Sequence, residues 1–394
     1  MAASAGEAAG MSAQAAPASM AADLRLRHID ALRAIAALLV LWRHVADAFV
    51  TLGPGVSGRW ISELGADLDF GRIGVVTFFL ISGYVIPFSI HPERPAPIGS
   101  FLIKRFWRIF PAYWLSVPLG AFATWWLWGR AFGTREFLVN LSLLQDLFGV
   151  PGALGLYWTL LVEWMFYLLC VILLLVGSFA KPRHWLLLAL VLVLAWFAEM
   201  FYHWVTGAAG IGSVVAFQLL NLSLMLLGAL ARSHWIEAGD DPLVRKGVIA
   251  LLLWHLLVLP AGTSVVIGVE NNATIPYALG VALFVVGISV VRIRLRLTDW
   301  LGRVSYSLYL FHPVVFMIML WGLLRLPADS IWRNQHLGVY LFANALLAAG
   351  VATLVHHWVE RPGIELGRRL ARGWVRWWGR DDVAVAMAAR GQGT

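Results

Sequence analysis

Residues 156–177 read LYWTLLVEWMFYLLCVILLLVG and contain one charged side chain, that of Glu163. A stretch of about 20 apolar residues is long enough to cross the hydrocarbon core of a bilayer as an α-helix. Within lipid, a helix satisfies every backbone polar group internally, so this is the form such a segment takes. The stretch therefore predicts a membrane-spanning helix that carries a single acidic group.

Similar apolar segments recur along the chain. Of its 394 residues, 60% are hydrophobic and 13% are charged, whereas soluble domains are about 25% charged. We predict an all-α fold, a polytopic transmembrane bundle of about ten spanning helices. The other nine expected spans lie near 30–50, 73–90, 110–128, 185–204, 212–231, 247–268, 275–291, 304–324 and 338–358.

One further apolar stretch, 137–148, is too short to cross the hydrocarbon core. If it does not cross and the N-terminus is cytoplasmic, the inner segments hold 21 Lys and Arg residues and the outer loops hold 6, which are Arg59, Arg72, Arg130, Arg135, Arg325 and Arg333. If it crosses, this asymmetry is reversed. Because cytoplasmic loops are rich in Lys and Arg, we predict a short non-spanning helix near 137–148 and two cytoplasmic termini.

The chain divides into three parts. Residues 1–22 form an Ala-rich tail that we expect to be disordered, and residues 23–360 form the transmembrane domain. Residues 361–394 form a cytoplasmic, basic amphipathic tail whose tryptophans suit contact with membrane lipids. The net charge is +8, but the cations lie in short loops between spans. This distribution sets topology, and nucleic-acid binding is not expected.

The first span contains charges on one helical face. Arg33 and His44 are 11 residues apart, which gives an azimuthal difference of about 20° and an axial separation of about 16 Å. Asp30 precedes Arg33 by one turn and Asp47 follows His44 by one turn, so each acid is placed to pair with its basic neighbour. Ionisable groups inside a span mark functional sites by default. The alternative is that Arg33 reaches the inner headgroups and His44 is structural.

A histidine held at depth beside an acid is a good general base. We expect Glu163, in the fourth span, to lie at a depth similar to that of His44, so that both face one cavity. The alternative for Glu163 is a packing contact between helices. His44 is expected in the outer half of the first span, whereas His312 falls in the inner half of the ninth span and is therefore not expected to replace His44.

A third cluster lies where the third span begins, in the sequence FLIKRFWRIFPAYW. Lys104, Arg105 and Arg108 fall within about one turn of one another. Guanidinium groups bind phosphates through paired hydrogen bonds, so the cluster suits a phosphorylated ligand. The alternative is that these cations, with the neighbouring aromatic residues, only anchor the helix at the inner surface.

Six short motifs together resemble the acyltransferase 3 family of bacterial membrane O-acyltransferases, over about residues 25–365. In chain order they are Asp30 and Arg33 with His44, FFLISGY with Ser82 and Gly83, Arg105 and Arg108 with Pro111 and Tyr113, Trp158 and Glu163 with Phe166 and Tyr167, SYSLYLFHP at 305–313, and Glu360-Arg361-Pro362. One departure from the family pattern is Trp164, where a second acid or Gln often follows the glutamate.

The resemblance implies transfer of an acyl group, commonly acetyl, from cytoplasmic acyl-CoA to a hydroxyl of a saccharide or glycolipid acceptor, in the bacterial inner membrane and with no metal. Lys104, Arg105, Arg108 and Arg33 are expected to bind the donor. His44 is expected to act as the base, oriented by Glu163 or Asp47. Substrate contacts are assigned to Asp30, Ser82, Trp158 and Tyr309. A covalent acyl-enzyme and a transporter or flippase of a polar lipid or sugar remain as alternatives.

Overall fold

The computed structural model describes residues 18–53, 56–206, 214–235, 239–267, 274–290, 293 and 295–391. Within these ranges the chain is helical and contains no strand of a sheet, which confirms the predicted all-α class. The helices are α1 (Ala18–Leu52), α2 (Trp60–Asp67), α3 (Phe70–Val85), α4 (Pro97–Gly120), α5 (Thr134–Asn140), α6 (Tyr157–Leu175), α7 (Pro182–Thr206), α8 (Val214–Trp235), α9 (Pro242–Leu253), α10 (Leu259–Ile267), α11 (Ile275–Ser289), α12 (Arg296–Arg303), α13 (Ser305–Leu323), α14 (Leu337–Val355) and α15 (Arg361–Gly391).

Seven stretches of the described chain are long and apolar enough to cross a membrane, and they contain α1, α3, α6, α7, α9 with α10, α13, and α14 with the start of α15. The protein is an integral membrane protein, but the predicted count of ten spans is not confirmed. The other three predicted spans correspond to α4, which carries the basic cluster, to α8, and to α11, which is a shorter apolar helix of 15 residues.

Two contacts join the ends of helices that are far apart in the sequence. The backbone N–H of Leu337 donates to the carbonyl of Ser57 at 2.9 Å, and the indole of Trp374 lies beside Gly99. Residues in contact at the ends of spans lie on the same side of the membrane, so an even number of crossings separates each pair. In the predicted ten-span arrangement eight crossings separate each pair, and a further crossing at 137–148 would make the number odd.

The segment 137–148 is mostly not helical. Only α5, Thr134–Asn140, is an α-helix, and at about 1.5 Å per residue its length is roughly 10 Å, too short to cross. The following turns fold back on α4, where the hydroxyl of Tyr113 donates to the carbonyl of Asn140. The predicted non-spanning helix is therefore present, but it begins earlier and is shorter than expected.

The helices extend across both predicted ends of the transmembrane domain. Helix α1 begins at Ala18, inside the segment 1–22 that was expected to be disordered, while residues 1–17 lie outside the described ranges. At the other end, α14 continues through a π-helical turn, His356–Glu360, into α15. Helix α15 then packs along α4, with Gly367 against Trp107, so the basic tail is attached to the bundle as well as rich in exposed Trp.

Helices α1 and α3 form the centre of the bundle, and α3 packs closely on α8. A Cβ atom on Gly83 would lie 1.8 Å from the carbonyl oxygen of Met225, and one on Gly228 would lie 2.2 Å from that of Leu80. Both distances are far below van der Waals contact, so only glycine permits this approach of the two backbones. The crossing fixes the face of α3 that lines the cavity described next.

Candidate active site

A cavity of about 270 Å³ lies between α1, α3, α4, α6 and α13. Its charged lining consists of three guanidinium groups and one carboxylate, from Arg33, Arg105, Arg108 and Glu163. The rest of the lining is hydroxyl-bearing and apolar, from Ser82, Thr159, Ser305, Tyr306, Tyr309, Val75, Phe78, Phe79, Ile81, Val85, Ile86, Ile109 and Leu160. The excess of positive charge beside apolar walls suits a ligand that is part anion and part hydrocarbon.

Arg105 is held in place by aromatic rings and a hydroxyl. Its guanidinium carbon lies 5.5 Å from the ring centroid of Phe101 and 5.6 Å from that of Tyr167, within the range of cation–π attraction. It also donates to the hydroxyl of Ser89. Arg108, one turn further along α4, lines the same cavity. Both guanidinium groups therefore line the same cavity.

Lys104 has a different environment from that of its two basic neighbours. Its side chain is exposed and is not part of the cavity lining. Its pKa is lowered by partial burial and by the nearby cations Arg94, Arg105 and Arg368. The structure thus brings two of the three predicted donor-binding cations of α4 into the cavity and leaves Lys104 outside it.

Arg33 enters the cavity from α1 and joins the two arginines of α4 there. A terminal nitrogen of Arg33 lies 4.0 Å from a carboxylate oxygen of Asp30, which confirms the predicted pairing across one turn. Asp30 itself does not line the cavity, and its backbone packs against Gly302 of α12. Asp30 is therefore placed to orient Arg33 and has no direct contact with the cavity.

Glu163 faces this group of arginines. Its carboxylate accepts a hydrogen bond from the hydroxyl of Tyr167, one turn further along α6, and it lines the cavity. His44 is not among the lining residues. The expectation that His44 and Glu163 face one cavity is therefore not met. Trp158 is also absent from the lining, and its ring packs on Phe79 at a centroid distance of 6.2 Å.

His44 contacts another histidine. Its Nδ1 lies 2.9 Å from Nε2 of His312, and the two ring planes differ by only 7° with centroids 5.2 Å apart. The centroid distance exceeds the nitrogen–nitrogen distance by about two ring radii, so the rings lie end to end in nearly one plane and are not stacked. We call these two residues the histidine pair.

The expected difference in depth between His312 and His44 is wrong. Counting residues along each apolar span treats all spans as if they began at one level. In the structure Gly302, three residues before α13 begins, already lies against Asp30. Counted from that contact, His312 and His44 differ by only four residues, or about 6 Å along a helix axis, which two imidazole side chains can bridge.

Asp47 does not pair with His44 either. Its carboxylate lies 2.7 Å from a guanidinium nitrogen of Arg43, four residues before it, and 59% of its side chain is exposed. The longer arginine side chain and its permanent charge make it the better partner for an acid at i,i+4. The predicted orienting role of Asp47 is therefore corrected, because the polar contact to Nδ1 of His44 comes from His312.

Tyr309 connects the cavity to the histidine pair. Its hydroxyl lies 2.8 Å from that of Thr159, both residues line the cavity, and its ring centroid is 6.2 Å from that of His312. Ser305, one turn earlier on α13, also lines the cavity, and its hydroxyl has no hydrogen-bond partner among the described residues. Sequence reasoning assigned Tyr309 to substrate contact but did not identify Thr159 or Ser305.

A buried carboxylate lies beside this part of α13. Glu360 is 1% exposed, and it accepts hydrogen bonds from the hydroxyl of Ser307 at 2.8 Å and from Nδ1 of His356 at 2.9 Å. These bonds link the π-helical turn before α15 to α13. The SYSLYLFHP and Glu-Arg-Pro motifs of the sequence therefore meet in space. Among the residues that the structure describes, no cluster of His, Cys, Asp and Glu is suited to a metal.

A helical membrane protein with a cavity rich in guanidinium groups, beside a histidine pair of which His312 is buried, has the features of an enzyme that acts on an anionic substrate. Comparison with known proteins identifies the class further. The model of the acyltransferase 3 family, described as an acyltransferase domain, matches residues 26–358. The chain therefore belongs to the acyltransferase 3 family and is an acyltransferase.

Two relatives resemble this chain over most of their length. Nodulation protein 10 of Rhizobium leguminosarum bv. viciae is 27% identical over 316 residues, which is 73% of this chain and 82% of that protein. BcsY of Komagataeibacter xylinus, named as a membrane-bound transacylase, is 25% identical over 373 residues, or 88% of this chain and 84% of that protein. No solved structure matches the chain. Family membership selects an enzyme over the transporter or flippase alternative.

Proposed function

We propose that the protein transfers an acyl group, most readily acetyl, from cytoplasmic acyl-CoA to a hydroxyl of a saccharide or glycolipid. The observation that carries the proposal is the continuity of the site. One wall of the arginine-lined cavity is Tyr309, and the histidine pair lies directly beyond it. A donor with phosphates at one end and a thioester at the other needs these two environments at the two ends of one path.

The acyl donor would bind at the three arginine side chains that line the cavity. Arg105 and Arg108 on α4, with Arg33 on α1, would bind the phosphates of acyl-CoA, for which planar guanidinium groups are well suited. The hydrocarbon part of the arm would follow the apolar walls around Phe78 and Phe79. Ser82 and Ser305 would supply hydroxyls to its amides, and Lys104 would act only at long range, since it lies outside the cavity.

The reactive end would be at His44. Its ring takes the proton of the acceptor hydroxyl while the hydroxyl oxygen attacks the thioester carbonyl carbon. The carbon–sulfur bond then breaks, and the CoA thiolate leaves and receives the proton from His44. A positioned general base of this kind contributes about 10²–10⁴-fold to rate. Glu163 lies with the arginines, so its proposed role is to orient Arg105 and Arg108 and the donor.

We propose direct transfer, without a covalent acyl-enzyme. The nucleophile of a covalent mechanism needs a base within hydrogen-bond reach. The cavity serines Ser82 and Ser305 form no hydrogen bond to a histidine within the described part of the chain, and Cys170 is fully buried outside the cavity.

We propose that the enzyme resides in the inner membrane of a bacterium with both termini in the cytoplasm. The excess of Lys and Arg in the predicted inner segments supports this orientation. It places the start of α4, with Arg105 and Arg108, on the side where acyl-CoA is available. Both relatives named above are bacterial.

The experiment is acyl transfer by the purified protein in lipid nanodiscs. Acetyl-CoA labelled in the acetyl group is supplied with a panel of oligosaccharides and glycolipids, and both labelled product and free CoA thiol are measured. The proposal predicts equal amounts of acylated acceptor and released thiol. Release of thiol without acylation of any hydroxyl acceptor would contradict it.

A further inference from the structure

We infer that His312 is a positioning residue, and that the His312-Pro313 dipeptide holds His44 in the tautomer that leaves its Nε2 free to accept a proton. This inference rests on the proposed function, because it assigns the chemical state of the base in that reaction. The tautomer follows from which groups donate and which groups accept the hydrogen bonds along α13 and between α13 and α1.

The first step is the proline. Pro313 lies inside α13 and has no backbone N–H, so the carbonyl four residues earlier, that of Tyr309, lacks its helical donor. A buried carbonyl without a donor is costly, and such groups almost always find a partner. Nδ1 of His312 lies 2.8 Å from this oxygen and 3.2 Å from the carbonyl of Leu308.

The second step is the tautomer of His312. A carbonyl oxygen only accepts, so Nδ1 of His312 carries the hydrogen and donates it. His312 is 1% exposed, and no carboxylate is within salt-bridge distance of it in the described chain. A buried imidazolium without a counter-charge is strongly disfavoured. The ring is therefore neutral, and its Nε2 carries a lone pair.

The third step is the tautomer of His44. The lone pair at Nε2 of His312 can only accept, so the hydrogen in the 2.9 Å contact is on Nδ1 of His44. The end-to-end arrangement of the rings, with planes 7° apart, directs this N–H along the lone pair. The other nitrogen of His44, Nε2, then carries no hydrogen and is the atom that can take a proton. A proline thus determines, through two hydrogen bonds, which nitrogen acts as the base.

Two substitutions of His312 separate positioning from packing. The carboxamide of His312→Gln reaches the place of the native Nε2, so its oxygen can accept from Nδ1 of His44. The shorter side chain of His312→Asn reaches only the place of Nδ1, so it can cap the Tyr309 carbonyl but cannot contact His44. We expect His312→Asn to lower kcat by about 10- to 100-fold, by analogy with the loss of a hydrogen-bond partner that orients a metal-binding histidine. The KM for acetyl-CoA should be unchanged, and His312→Gln should restore most of the loss.

A second readout does not depend on turnover. In protein labelled with ¹⁵N-histidine, solid-state NMR distinguishes protonated from unprotonated ring nitrogens. Subtraction of the His44→Gln spectrum assigns the signals of His44. The inference predicts a protonated Nδ1 and an unprotonated Nε2 at His44, and it predicts that His312→Asn loses this tautomer. A protonated Nε2 at His44 in the wild-type protein, or equal kcat in the Gln and Asn variants, would overturn it. If His44→Gln retains activity, the proposed function fails instead, and the spectra still decide the tautomer.

Discussion

Nδ1 of His44 lies 2.9 Å from Nε2 of His312, although the two residues are 268 positions apart in the chain. The contact joins α1 to α13 within the bundle and lies behind Tyr309, one of the residues that line the arginine-rich cavity. It gives His44 a neutral partner, so the ring can accept a proton without first breaking an ion pair. The predictions below follow from this arrangement and from the packing that supports it.

The first prediction concerns the donor site. Arg105→Ala and Arg108→Ala should each raise the KM for acyl-CoA, because a charge-assisted hydrogen bond is worth about 1.5–3 kcal/mol, on the order of 10- to 100-fold. Lys104→Ala is the matched control, since it removes a neighbouring cation that lies outside the cavity, and it should change KM much less. Steady-state kinetics in nanodiscs measures all three. Equal KM values in the three variants would mean that the cluster only anchors α4.

The second prediction concerns the crossing of α3 and α8. Gly83→Ala places a Cβ atom 1.8 Å from the Met225 carbonyl oxygen, so the helices must separate, and the yield of folded protein and its Tm should fall sharply. Gly322→Ala, in α13, meets nothing within 4 Å. It should be neutral or stabilising, because Ala is favoured over Gly in a helix by about 1 kcal/mol. Thermal unfolding in detergent tests both, and a Gly83→Ala protein as stable as Gly322→Ala would contradict the described crossing.

The third prediction concerns orientation. In a Cys170→Ser background, a cysteine at position 181 should be labelled by a membrane-impermeant maleimide only after the cells are lysed. A cysteine at Arg333, in the loop before α14, should be labelled in intact cells. The chain has one native cysteine, and it is buried, so after its replacement only the introduced cysteine can react with the maleimide. Labelling of position 181 from the outside would reverse the proposed arrangement and place the donor site on the wrong side for acyl-CoA.

The parts of this picture that sequence could predict are those set by spacing along one helix. The pairing of Asp30 with Arg33, and the shared cavity position of Arg105 and Arg108, follow from helical periodicity. The all-α class follows from the apolar segments themselves. Each of these relationships needs only the geometry of a single α-helix and the cost of exposing polar groups to lipid.

The relationships that sequence could not predict depend on how helices are offset against one another. His312 was expected at a different depth from His44 because counting residues does not give the relative height of two helices. The pairing of Asp47 with Arg43 instead of His44 is different, because it lies within one helix and follows from the longer, permanently charged arginine at i,i+4. The signal for His312 was nevertheless present, since a histidine directly before a helical proline can satisfy the carbonyl that the proline leaves free.

The central claim is that His44 is the catalytic base, and its most direct test is the turnover of His44→Ala. Acetyl transfer is measured in nanodiscs, normalised to folded protein, with Tm determined in parallel and with His357→Ala, an exposed histidine, as the matched control. The account predicts that kcat falls by about 10²–10⁴-fold with Tm close to that of the wild-type protein, while His357→Ala remains near normal. A His44→Ala protein that is folded and turns over at a near-normal rate would contradict the account.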